Sequence, residues 1–357
     1  MQRFKNILVA VDEKTENRAV VERAVTLAQR NQARLMVVNT VKELPCPAPA
    51  PDIPEPLLDI DIIDEWPPDA DRPAGPELPV ALREWPQGAQ MPVAEPAVAI
   101  REHVIEEKSQ LLERWVDLVR RSGVPVGGKV LCGTPFLEII REVLRNEHDL
   151  VMTTAEGRGG VKERLFGSTT MHLMRKCPCP VWVMKPSQPE RHTRILAAVE
   201  PAPTDQGHHP INIKSMDLAT SLARRDQCEL VVVHTWTFPA ENSLRSGYLV
   251  ASNELDRFVC DARDLHRRRL AELLQPYPLQ ELKAQVYMLK GEPGHWIPEL
   301  ASKLGVGLIV MGTVSRSGVA GLLIGNTAER ILRQVDCSVL TVKPDGFVTP
   351  VRLDEWQ

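Results

Sequence analysis

"KNILVAVD" (residues 5–12) returns as "TRILAAVE" (193–200), at an offset of 188. Both are short apolar runs that end on an acid, the form of a buried strand delivering a polar residue to its tip. The correspondence extends outward. "ARLMVVNTV" (33–41) matches "CELVVVHTW" (228–236) at 195, and "VLCGTPFLEII" (130–140) matches "MLKGEPGHWIP" (288–298) at 158. The last offset holds through "DLVMTT" and "GLIVMGT" and through "CPVWVMKP" (179–186) and "CSVLTVKP" (337–344). The fall from 195 to 158 places 37 extra residues of the first half between 41 and 130. Two copies of one fold account for this pattern.

Each copy reads as five strands alternating with four helices. Continuous apolar runs such as "ILVAV", "LMVV", "LVMT" and "VWVM" imply a parallel sheet covered on both faces. "VIEEKSQLLERWVDLV" (104–119) places Val104, Leu111, Leu112, Trp115 and Leu118 on one helical stripe, as packing on a sheet requires. Alternating strands and helices with right-handed crossovers give an α/β fold, two doubly wound open parallel sheets related by a pseudo-twofold axis. Such sheets bind ligands beyond the carboxyl ends of their strands, where the strand order reverses. That points to Asp12 and Glu200 after the first strand of each copy, and to Thr154 and Gly312 after the fourth.

Composition narrows the classes of function. With 357 residues, 43% hydrophobic and a net charge of −4, the chain fits two ordinary globular domains and has no general attraction for nucleic acid or anionic membranes. No apolar run reaches the length of a membrane span. Seven scattered cysteines indicate reduced thiols and a cytoplasmic setting. Cys177 and Cys179 read as small buried residues entering a strand, His208–His209 as part of a surface loop, and "HRRRL" (266–270) as a solvated helix face. Aromatics make up only 4%, with no basic stripe between them to bind nucleic acid. The segment 45–96 differs from the rest: fourteen prolines, eleven acids and two arginines give it a charge of −9 and leave the remainder near +5. It reads as a solvated insertion, with Trp66 and Trp85 as candidate anchors for a protein partner.

The fourth strand of each copy runs into a loop spaced G-x2-G-x9-G-[S/T] and then a helix. With the "VAVD" strand and the "CPVWVMKP" ending, this resembles the universal stress protein family, in tandem. "GNTAERIL" and the tail "KPDGFVTPV" look closest to the E-type branch. The resemblance implies the adenine nucleotide alpha hydrolase-like fold of HUP type, strand order 3-2-1-4-5, with domains at 1–187 and 193–345 and a tail at 346–357. It also implies ATP or AMP as ligand, with Mg carried by ATP. The phosphates would lie on the loop and helix N-terminus, where converging N–H groups and the helix dipole favour an anion.

Carried over by position, the first half offers Asp12, Thr154 in place of the leading glycine, Gly157, Gly167, Ser168 and Thr169. The second offers Glu200, Gly312, Ser315 in place of the middle glycine, Gly325, Asn326 and Thr327. Glu156 sets an acid in the first loop, with Arg158, Lys162 and Arg164 available to offset it. These departures leave two readings open: a nucleotide site in one or both halves, or a degenerate cleft on a scaffold that serves a partner or an apolar ligand. Catalysis is not expected. The chain has no G-x4-G-K-[S/T] lysine and no nucleophile with an evident base. The last strands of the two copies should pair within the chain, with Val181, Val183, Val339 and Val342 near the joint, because open edges invite uncontrolled association. Further dimerisation stays open. Phe347, Val348, Val351 and Trp356 suggest that the tail docks on the body.

Overall fold

The computed structural model describes residues 4–12, 17–42, 94–155, 166–185, 193–201, 209–238, 241–246, 252–313 and 325–353. The acidic insertion with Trp66 and Trp85, both loop interiors, the 186–192 linker and Trp356 lie outside these residues, apart from the end of the insertion. The first half contains β1 (Asn6–Ala10), α1 (Asn17–Asn31), β2 (Arg34–Val41), α2 (Ala94–Arg121), β3 (Val126–Cys132), α3 (Pro135–Asn146), β4 (Leu150–Thr154), α4 (Ser168–Lys176) and β5 (Val181–Met184). The second contains β6 (Arg194–Ala198), α5 (His209–Asp226), β7 (Glu229–Trp236), α6 (Glu241–Ser246), α7 (Ser252–Leu274), β8 (Gln285–Lys290), α8 (Pro293–Lys303), β9 (Leu308–Gly312), α9 (Asn326–Leu332) and β10 (Ser338–Val342). Among the described residues of the first half, α6 has no counterpart. α2 begins at Ala94, just inside the expected insertion, and His209 opens a helix where a loop was expected.

All ten strands form one sheet in the order β3-β2-β1-β4-β5-β10-β9-β6-β7-β8. Each half is parallel with the expected order 3-2-1-4-5, and the join is the antiparallel pair β5–β10. There Val181 faces Thr341, Trp182 faces Leu340 and Val183 faces Val339. Val342 is one residue beyond this register and fully buried. Pairing the two fifth strands removes both as edges and leaves β3 and β8 at the margins.

Side chains alternate across the sheet with the two-residue period of a strand. Ile7 and Val9 join a core beneath α1, α2, α5 and α7, while Leu8 and Ala10 join one beneath α3, α4, α8 and α9. Cys177 and Cys179 are buried at the entry to β5, as expected, with sulfurs 3.5 Å apart. On α2 the buried seam is Leu112, Val116 and Val119, with Trp115 and Leu118 flanking it. The expected stripe is therefore rotated. The cause is on β3: a Cβ at Gly128 would stand 2.8 Å from Val116 Cγ2, so the helix settles onto the bare backbone there.

The halves also meet above Trp182, which is fully buried. The guanidinium carbons of Arg23 (α1) and Arg225 (α5) lie 5.2 and 5.9 Å from its ring centroid, in cation–π range. Both arginines bond Asp226. The tail docks in part: Phe347 lies under the Lys343 ammonium, and Val351 enters the second core. Val348 stays exposed.

Candidate functional site

In the first half, a line of hydrogen bonds crosses the switch point between β1 and β4. Asn17, wholly buried at the start of α1, donates Nδ2 to the Asp12 carbonyl and to Asp12 Oδ1, both at 2.8 Å. Its Oδ1 accepts Thr154 Oγ1 at 2.8 Å. Thr154, standing where the family motif has glycine, thus satisfies a buried amide and ties the two strand tips together. Lys108 of α2 lies within electrostatic reach of Asp12. Burial lowers the lysine's pKa, and the acid partly opposes that shift. Beyond the loop, Gly167 caps α4 with φ −64° and no side-chain cap bond. Its backbone is ordinary, so the absence of a side chain, and not left-handed geometry, distinguishes it. Ser168 and Thr169 form the first helical turn, whose N–H groups have no intrahelical partners.

The second half repeats the frame with different contents. Asn212, matched to Asn17 at the 195 offset, accepts from the Glu200 N–H at 2.9 Å and donates to the Glu200 carbonyl at 2.7 Å. Gly312 replaces Thr154, and a Cβ there would lie 2.8 Å from Ile211 Cδ1. The glycine therefore admits a side chain from α5. Gly325 caps α9 with φ −60°, and its N–H bonds the Thr313 carbonyl at 3.0 Å, which draws the start of α9 to the tip of β9. Asn326 and Thr327 open that helix. Gly157 and Ser315 lie outside the described residues.

Two further buried polar groups stand near the strand ends of the second half, on β7 and just after β10. His234, 1% exposed on β7, sets Nδ1 3.2 Å from the Val199 carbonyl and Nε2 2.9 Å from His266 Nδ1 on α7. The carbonyl can only accept, so His234 carries its proton on Nδ1 and its Nε2 receives the His266 proton. Burial, reinforced by His266, pulls the His234 pKa down to about 4. Trp236, 5% exposed, lies against His266. The expected solvated "HRRRL" face holds for Arg267 and Arg268, but His266 turns inward. The second group is Lys343, 2% exposed, which donates to Thr313 Oγ1 at 2.6 Å and to the Arg175 carbonyl of α4 at 3.0 Å. Burial lowers its pKa to about 8.

Among the described residues, no group of three or more His, Cys, Asp or Glu is placed to hold a metal ion. None of their helices is long and apolar enough to cross a membrane.

The universal stress protein family profile matches residues 3–59, 80–185 and 203–343. Its gap from 59 to 80 falls inside the proline-rich insertion. Universal stress protein E of Escherichia coli is 32% identical over 261 residues, covering 72% of this chain and 80% of that protein. Universal stress protein E of Photorhabdus laumondii is 24% identical over 99% of both chains. Among solved structures, a functionally unknown Pseudomonas aeruginosa protein superposes with a TM-score of 0.63 at 20% identity, covering 96% of this chain and 94% of that one. A universal stress protein from Archaeoglobus fulgidus does so with a TM-score of 0.56 at 14% identity, covering 96% and 98%. At these identities the two structures speak to the fold alone.

Proposed function

Because this chain belongs to the universal stress protein family, we propose that it is a regulatory, non-catalytic protein of the stress response. In this reading it works in the cytoplasm and binds ATP, with its Mg, or AMP in the cleft of its first half. The observation that carries the proposal is the Asp12–Asn17–Thr154 line, in which the asparagine and threonine are buried. It fixes an acid at the strand tip where the sheet reverses, the usual ligand position in this architecture. Asp12 would engage the ribose or adenine end. The start of α4 (Gly167, Ser168, Thr169) would meet the phosphates.

The second cleft supports the degenerate reading. Ile211 lies against Gly312, Lys343 holds the Thr313 hydroxyl, and Trp236 packs on the histidine pair at the end of β7. Bulk and buried hydrogen bonds of this kind must be displaced before a nucleotide enters, at a cost in affinity.

Calorimetric titration of the full-length protein with ATP and AMP in the presence of Mg tests the reading. The expected result is saturable binding that is weakened at least tenfold in D12A and unchanged in E200A. Absence of binding at millimolar nucleotide, or loss in E200A with D12A unaffected, would overturn it.

A further inference from the structure

Where α1 of the first half meets α5 of the second, the surface opens into a cavity of about 550 Å³. Three arginines line it: Arg30 of α1, and Arg224 and Arg225 of α5. Arg30 and Arg225 correspond at the 195 offset, so a matched pair converges where the copies meet. Arg30 is exposed, and its guanidinium reaches the Arg225 carbonyl at 3.5 Å; among the described residues it has no carboxylate partner. Arg224 makes an exposed ion pair with Glu281 at 3.2 Å, a contact that water screens and a competing anion can replace.

The wall holds two polar groups left without partners. Thr220 is 7% exposed and the Arg225 side chain 9%. Neither Thr220 Oγ1 nor Arg225 Nη1 has a hydrogen-bond partner among the described residues. Buried polar atoms are almost always satisfied, so such a pair beside a cavity calls for an explanation. Arg225 shares the Asp226 carboxylate with Arg23, which leaves that acid committed. Asp217, the acid of the wall, accepts the Tyr277 hydroxyl at 3.0 Å. Ser221 adds a hydroxyl, and Pro276 and Pro278 complete the lining.

We propose that this cavity between the halves binds a phosphate-bearing small molecule, with Arg30, Arg224 and Arg225 on the phosphate and Thr220 donating its hydroxyl. Guanidinium forks match phosphate oxygens two at a time, and the partly enclosed setting strengthens each contact. The volume falls in the range of small-molecule sites and exceeds what a lone phosphate fills. An ester would use the remaining space, its organic part lying along Tyr277 and the prolines. The site is separate from the proposed nucleotide cleft; the second half supplies most of its wall and the first half supplies Arg30.

The test is calorimetry on the full-length protein at low salt with two probes that lack a base, inorganic phosphate and glycerol 3-phosphate. Both should bind saturably, the ester more tightly. R30E should weaken both by tenfold or more, as reversing a ligand-facing charge does, and T220V should weaken them severalfold. R30E should leave ATP binding intact, and D12A should leave glycerol 3-phosphate binding intact, which separates this site from the nucleotide reading. The proposal is overturned by no saturable binding of either probe up to about 10 mM. It is equally overturned by unchanged affinity in a folded R30E/R224E protein, or by binding of citrate where phosphate fails.

Discussion

Acid should loosen this protein through one imidazole. His234 is buried on β7 between the Val199 carbonyl and His266, and its pKa is held at about 4 against an ordinary 6.5. The folded state resists the proton while the unfolded chain accepts it. For a histidine depressed in this way, the contribution to stability is complete above pH 6.5 and is lost as pH falls toward 4, because the unfolded state then binds more protons. A separation of 2.5 units is worth about 3 kcal/mol, most of it gone by about pH 4.5. Burial, and after it the facing Arg269, hold the His266 pKa down as well, so neither ring offers an easy home for the proton. The matched first-half residue is Asn39, which makes H234N a substitution the fold already accommodates at that position. Urea unfolding of wild type and H234N at steps from about pH 7.5 to 4.5 isolates the effect, since His148 and His172, also depressed by burial, remain in both. The wild type should lose about 2–3 kcal/mol more than H234N across that range. Parallel curves for the two proteins would refute the depressed His234 pKa and with it the buried neutral pair.

Two other outcomes follow from the second cleft. G312A sets a methyl 2.8 Å from Ile211 Cδ1 and should cost about 1–3 kcal/mol, most of it recovered in G312A/I211V, which lacks that carbon; thermal denaturation of the four proteins reads both numbers. Lys343, with its pKa lowered to about 8 from 10.5, sheds its proton in the folded state before the unfolded chain does. Lys343 should therefore add up to about 3 kcal/mol of stability between pH 8 and 10.5, against the loss expected from the thiols Cys228 and Cys337, raised by burial to about 11 and 12. The thiols remain in K343M, so the wild-type urea midpoint should climb relative to that of K343M across this range.

The duplication made the sheet legible. Apolar runs repeated at steady offsets fixed ten strands, and the edge hazard of "VWVMK" and "VLTVK" pointed to the β5–β10 pair that the structure contains. What escaped depended on residues distant in the chain. Helical periodicity placed Leu111 and Trp115 on the buried stripe of α2, but the seam is set by Gly128 on β3, which α2's own pattern does not encode. Asn17 and Asn212 were detectable in principle, since they coincide at the 195 offset. Yet each looks like an ordinary helix-start residue until its bonds to Asp12 and Glu200 are seen. The partnership of His234 with His266 had no local signal at all. Gly312 looked like part of a phosphate cradle, while the structure supplies a steric reason for it, the approach of Ile211.

The divergence of the halves follows from joining them in one chain. In a symmetric dimer, a residue near the twofold must suit its own copy, so any contact made once is made again in mirror order. Here Arg23 matches Leu218 and Asn31 matches Asp226 at the 195 offset. The Arg23–Asp226 pair over Trp182 therefore exists once, and the reciprocal positions hold Leu218 and Asn31. A separate pair of identical subunits could not place a single buried ion pair at this junction without generating its twin. Covalent linkage lifts that constraint, and the same freedom lets Thr154 face Gly312, Asn39 face His234 and Val41 face Trp236 as matched positions with unlike side chains. The last two add bulk and a buried hydrogen bond to the second half; at the first, Gly312 gives up the hydroxyl bond of Thr154 and admits Ile211 in its place. The sheet stays symmetric because both halves must present the same strand to β5–β10 pairing; the strand tips, free of that requirement, are where the matched side chains differ.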